Sequence, residues 1–123
     1  MPTVVVLAAH GSRADAANTA HRDLVEVVAS QSPVSVVGAF LELAEPSIPS
    51  AIDDAVAAGA TSVLVLPYFL HPGRHLAEDL TGIVADATER HPRVSVRRLE
   101  LFGADRALAP LVVGQISAAL SSD

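Results

Sequence analysis

The chain reads as an α/β domain built on a parallel sheet with helices on both faces. Three observations predict this. Continuous β-branched runs, which suit strands buried on both sides, recur four times, as at TVVVLAA (residues 3–9) and SVLVLP (62–67). Each run is followed by a stretch with apolar residues at helical spacing. There is no internal repeat, low-complexity segment or linker. Alternation of this kind predicts four βα units with right-handed crossovers and a doubly wound four-stranded sheet of order 2-1-3-4.

Taken in order, the first strand covers residues 3–9 and the first helix 14–31. That helix sets Leu24, Val25 and Val28 on one side and Arg22, Asp23 and Glu26 on the other. The second strand spans 34–40. Pro46 opens a second helix over about 47–58, with Ile48, Ile52, Ala55 and Val56 inward, Asp53 and Asp54 outward, and Gly59 as its stop. The third strand is 62–67 and the third helix about 75–90, with a stripe of Leu76, Leu80, Ile83, Val84 and Ala87. The fourth strand, 94–101, carries tandem Arg97 and Arg98, which suits an edge. A last helix over about 105–120 is expected to bury Leu108, Leu111, Val112 and Ile116.

Composition bounds the function. With 123 residues, 50% of them hydrophobic, and a mean hydropathy of +0.42, the chain predicts one domain with a proper core. The net charge of −6, with all eight basic residues arginine, argues against nucleic acid or an anionic membrane as the main partner. Aromatic residues make up only 3%, too few for a base-stacking platform. No apolar run approaches the ~20 residues of a membrane span. The opening MPTVVV lacks the marks of a signal peptide, so a cytoplasmic protein is expected. Without cysteine there are no thiolate metal sites, which leaves histidines, arginines and a few carboxylates to carry chemistry.

Two histidines stand just past strand ends: His10 in AAHGSR and His75 in PYFLHPGRH. The carboxyl ends of parallel strands are where ligands bind, and order 2-1-3-4 puts strands 1 and 3 side by side at the switch point. Imidazole there is suited to holding a divalent metal or moving a proton. In HGSR, Gly11 permits a tight turn and Ser12 is a cap for the first helix; a capped helix with a surface histidine is the bland alternative. His71 and His75 have the spacing of a helical metal pair, but Pro72 and Gly73 between them rule out that pairing. Asp79, four residues after His75, either orients its ring by a hydrogen bond or is a solvated first-turn acid. Glu42 ends the second strand beside the crevice as an oxygen ligand or proton acceptor, whereas Glu45 is assigned to the start of the second helix. His21 and His91, away from this edge, are read as solvated. Leu7, Phe40, Phe69 and Leu70 are candidate apolar walls, or simply core.

AHGSR, FLELAEPSI and PYFLHPGRHLAEDL, in this order, resemble the small CbiX/SirB-type sirohydrochlorin chelatases over essentially the whole chain. The third segment is the specific one: Pro67, Phe69, Leu70, Gly73, His75 and Asp79 match the family pattern, while His71 departs from it. The resemblance implies insertion of Co²⁺ or Fe²⁺ (Ni²⁺ in some archaeal members) into sirohydrochlorin, for cobalamin or sirohaem. It implies His10 and His75 as the metal-handling and proton-accepting pair, with Glu42 as helper. It also implies no tightly bound cofactor and, for a chain this short, a homodimer. Arg13, Arg74 and Ser12 are then candidates for binding the substrate's carboxylates, with Arg13 equally readable as solvated. Two other classes stay open. A non-catalytic metal or tetrapyrrole carrier would use the same histidines, and a phosphate-binding hydrolase or mutase would use His10 as nucleophile beside Arg13.

Overall fold

The computed structural model describes residues 2–122; Met1 and Asp123 lie outside the described part. Strands β1 (Thr3–Ala9), β2 (Ser35–Phe40), β3 (Ser62–Pro67) and β4 (Ser95–Arg98) alternate with helices α1 (Asp15–Gln31), α2 (Ile48–Ala57), α3 (Arg74–Arg90) and α4 (Leu108–Ser121). The sheet is parallel throughout, in the expected order β2-β1-β3-β4. The register aligns Ala9 with Phe40 and Ala8 with Pro67, so the loops that carry His10, Glu42 and the 68–73 segment leave the sheet at one level.

Side chains alternate across the sheet, and each face has its own cover. Val6, Ala8, Ala39, Val63 and Val65 point to α2 and α3, where Ile48, Ile52, Leu80 and Ala87 complete the main core. On the opposite face α1 lies over β2 and the adjoining side of β1, with Val25 against Gly38 and His21 against Phe40.

The boundaries differ from expectation by a few residues, each for a local reason. The second helix is capped by Ser47, whose hydroxyl accepts from the Ser50 N–H, and Pro49 rather than Pro46 sits in its first turn. Pro46 instead follows a cis peptide bond after Glu45. With the helix starting only after Ser47, Glu45 belongs to the loop and not to the helix start, and its carbonyl accepts a hydrogen bond from Arg22 at 3.1 Å. Gly59 follows the helix at φ +105°, as a C-terminal glycine should. Strand β4 is shorter than expected, and the chain then makes a single 3₁₀ turn, Phe102–Ala104, before α4.

Three expectations are overturned. His21 is not solvated: it is 6% exposed and its Nε2 donates to the Leu7 carbonyl at 3.0 Å. It lies one turn before Val25 and so continues the buried stripe of α1. His91 is three-quarters or more covered, and its Nε2 lies 2.7 Å from Asp53 at the junction of α2 and α3. The last helix buries none of its residues. Leu111, Val112 and Ile116 are each more than half exposed, and Leu108 is only half-buried, because no other element packs along α4.

Candidate functional site

β1 delivers His10 at its carboxyl end, and the chain must then turn sharply. Gly11 makes that turn at φ +92°, with its α-carbon pressed against the Glu42 backbone; a β-carbon there would stand 1.7 Å from the Glu42 carbonyl oxygen. The sheet ladder continues past the strands, through Leu41 N–H to Ala9 (2.8 Å) and Glu42 N–H to His10 (3.0 Å). These contacts hold the His10 and Glu42 backbones side by side. Their side chains follow: His10 Nδ1 is 3.8 Å from Glu42 Oε1, with both more than half exposed. The ring of Phe69, from the loop after β3, meets His10 edge-on at 6.2 Å between centroids.

Asn18, which composition and motif did not single out, pins the loop. Its Oδ1 accepts from the Ser12 N–H at 2.9 Å and its Nδ2 donates to the Ser12 carbonyl at 2.8 Å. Asn18 is buried, so these bonds satisfy groups that would otherwise be costly. Ser12 is not the helix cap that was expected. The N-cap position is Ala14, and the Ser12 hydroxyl accepts from the Ala14 N–H two residues ahead. The sequence signal was available, since Asn18, His21 and Val25 recur at helical spacing on the inward side of α1.

His21 supports three strand ends at once. It bonds to Leu7 in β1, packs edge-on against Phe40 of β2 at 5.3 Å, and lies 5.9 Å from the Tyr68 ring after β3. Tyr68 in turn stacks on Phe102 at 5.0 Å, and Gly103 approaches the Leu70 backbone so closely that no side chain would fit. Phe40 and Leu7 are thus almost fully buried and are core, not crevice wall. Phe69 is the candidate wall that lies against His10, while Leu70 is exposed.

The residues after β3 are more open. His71, Arg74, His75 and Asp79 are all exposed. Arg74 approaches Glu78 at 3.9 Å, an i,i+4 contact of little strength in water. Among the described residues no ion pair joins His75 to Asp79 or Glu42, and no three-group metal cluster is assembled. Asp79 shares an open cleft with Glu42, Glu78 and Asp86, so α3 turns a row of carboxylates towards the Glu42 side of the site. Arg13 is exposed beside His10 in sequence. A wider concavity, between α3 and the end of β4, is lined by Pro72, Leu76, Arg98 and Leu101 among others and by none of the predicted site residues. Among the predicted site residues, His10 and Glu42 are the two whose side chains approach one another in the described structure.

The CbiX family model matches residues 4–119. The chain belongs to the CbiX family. It is 33% identical over 118 residues to the chloroplastic sirohydrochlorin ferrochelatase of Arabidopsis thaliana, covering 95% of this chain and 52% of that one. The sirohydrochlorin cobaltochelatase of Methanopyrus kandleri is 26% identical, with 97% of this chain and 98% of that one covered. Among solved structures, a CbiX protein from Marinobacter aquaeolei superposes with a TM-score of 0.87 at 27% identity, over 99% of this chain and all of that one. The sirohydrochlorin chelatase SirB of Bacillus subtilis subspecies spizizenii, in complex with cobalt, has a TM-score of 0.86 at 25% identity, over 96% of this chain and 51% of that one. The chain spans about half the length of curated relatives such as the Arabidopsis thaliana and Bacillus subtilis ferrochelatases. The two solved structures share the doubly wound architecture of this chain.

Proposed function

We propose that this CbiX-family chain is a sirohydrochlorin chelatase that inserts Co²⁺ or Fe²⁺ into the macrocycle, working in the cytoplasm as a one-domain homodimer. The observation that carries the reading is the His10–Glu42 pair at the carboxyl ends of β1 and β2. The names of the relatives, ferrochelatase and cobaltochelatase, supply the substrate class.

The reaction exchanges two pyrrole N–H protons for one dication. It therefore needs a loosely held metal and a base at the same edge of the ring. Imidazole binds Co²⁺ and Fe²⁺ well yet exchanges, and neutral imidazole accepts protons near neutral pH. We assign metal handling and proton acceptance to His10 and His75, with Glu42 drawing the proton from the His10 side. Phe69 and Leu70 give the macrocycle an apolar face to rest on. Arg13, Arg74 and the Ser12 region are assigned to its carboxylates. Asp79 joins Glu42 and its neighbouring acids on the side from which the dication approaches, where it supports the histidine site through field rather than through a direct bond.

Anaerobic incubation with sirohydrochlorin and Co²⁺ or Fe²⁺, followed by absorption, tests this. Insertion well above the protein-free rate is expected, and His10→Ala should lower it by at least ~100-fold. Insertion no faster than without protein would reject the enzyme and leave the non-catalytic carrier.

A further inference from the structure

Leu43 carries two costs at once. Among the described residues it is the one non-glycine with a positive φ, +65°, a conformation that glycine or asparagine adopts far more readily. It is also 56% exposed, so its isobutyl group gains little from the fold in return. The loop around it holds the conformation. Phe40 N–H donates to the Pro46 carbonyl at 2.9 Å, and Glu42 N–H donates to the His10 carbonyl at 3.0 Å. Arg22 lies over the Phe40 ring and bonds to the Glu45 carbonyl. Residues 41–46 are thereby closed into a tight loop beyond the end of β2, with Leu43 next to Glu42. Strain of this kind persists where a ligand or a reaction makes use of it.

Its place in the fold gives the use. Outside α4, the exposed large apolar side chains among the described residues are Val27, Val37, Leu43, Tyr68 and Leu70. Leu43, Tyr68 and Leu70 follow the carboxyl ends of β2 and β3, the strands on either side of β1 and His10. Tyr68 is accounted for by its packing on His21 and Phe102. Leu43 and Leu70 then remain, one in each of the two loops that flank His10. Leu43 directly follows the Glu42 that approaches His10, and Leu70 directly follows the Phe69 that packs on it.

We infer that Leu43 is a substrate-contacting residue, whose isobutyl group covers apolar surface of the macrocycle on the β2 side as Phe69 and Leu70 do on the β3 side. The inference rests on the chelatase reading and names a binding residue for it. A tetrapyrrole suits the two loops because its ring is broad, flat and apolar, with its charge in peripheral carboxylates. A small hydrophilic ligand would gain nothing from a leucine. The contact also accounts for leucine at a position where asparagine or glycine would fit the backbone better. Relief of the strain would stabilise the free protein alone, whereas apolar area removed from water on binding stabilises the complex. Covering the exposed half of one leucine is enough for roughly a 5- to 10-fold difference in affinity.

Leu43→Asn in the full-length chain is the test. Asparagine accepts a positive φ and removes the apolar surface, so the midpoint of thermal unfolding should be no lower than that of the unaltered protein. Two quantities should each rise roughly 5- to 10-fold: the dissociation constant for metal-free sirohydrochlorin, from equilibrium dialysis, and the KM for insertion. The kcat should stay within about twofold, since the contact is made equally in the ground state and the transition state. Leu43→Met should recover most of the affinity. Val27→Asn, which removes an equally exposed apolar side chain from α1, should leave it unchanged. An affinity of Leu43→Asn equal to that of the unaltered protein would overturn the inference. So would a clearly lowered melting midpoint, which would make Leu43 part of the fold, or a changed mass in light scattering, which would make it a contact between proteins. Unaltered protein that binds the macrocycle but inserts no metal would reject the chelatase and not the contact, which the dissociation constants still decide. Unaltered protein that binds no macrocycle would overturn both.

Discussion

Replacing Gly11 by alanine separates two costs that usually arrive together. At φ +92° a side chain meets backbone strain of about 1–2 kcal/mol. The new β-carbon would also lie 1.7 Å from the Glu42 carbonyl oxygen, so the two loops must part by roughly 1.5 Å to reach ordinary contact. A movement of that size takes the 3.0 Å Glu42 N–H to His10 bond out of range, at about 1 kcal/mol. The expected loss is about 3 kcal/mol, or a melting temperature lower by roughly 10 °C. Gly59→Ala is the control, because Gly59 has φ +105° but open space where its β-carbon would go. It should show the backbone part alone, about 1–2 kcal/mol. Urea unfolding followed by far-ultraviolet circular dichroism, at one protein concentration, measures both. Gly11→Ala should also slow metal insertion by 10- to 100-fold, since misplacement by about 1 Å is enough for that. If Gly11→Ala is no less stable than Gly59→Ala, or inserts metal at the unaltered rate, the coupling between the His10 and Glu42 loops is refuted.

Other substitutions test the remaining contacts. His21→Ala should cost about 2–4 kcal/mol in a urea melt, and His21→Phe less, because the phenyl ring keeps the packing but strands the Leu7 carbonyl. Asn18→Ala should leave the Ser12 N–H and carbonyl unpaired, costing about 2 kcal/mol, and the same protein should lose insertion activity as the His10 loop loosens. Hydrogen bonds from His91 and then Arg90 hold the Asp53 carboxyl below its ordinary 3.8. Its contribution is therefore present above the unfolded value and is lost as pH falls through the lower folded one. Asp53→Asn should lower stability at pH 7 by at most about 1 kcal/mol, since the group is near the surface, and converge with the unaltered protein below about pH 4, so that the profile is flatter there, which melts across that range would measure.

What the sequence disclosed followed from local periodicity and from chain handedness. The β-branched runs and the Leu76–Ala87 stripe are short-range patterns, and both reappear within a few residues of where they were read. The crossover rule then supplied the strand order, which put His10 and the loop after β3 at one edge. The contacts between distant segments were harder to see. Nothing near Gly11 reveals that its missing β-carbon makes room for the Glu42 carbonyl. The spacing of His75 and Asp79 puts them on one side of a helix, yet the cleft that Asp79 lines is set by Glu42, from another element.

Two misreadings share a cause. Distance from the carboxyl edge of the sheet predicts a solvated His21, although its position in the α1 stripe makes it an inward residue with one hydrogen bond to make. In α4 the opposite inference failed. The apolar residues were read as buried because water disfavours them, and that physics holds whichever chain provides the cover. Hydrophobicity fixes the need for a partner surface but carries no label for the copy that supplies it. Among the described residues no helix or strand packs along α4, so the rule that apolar side chains are buried finds no surface within the chain on which to act there.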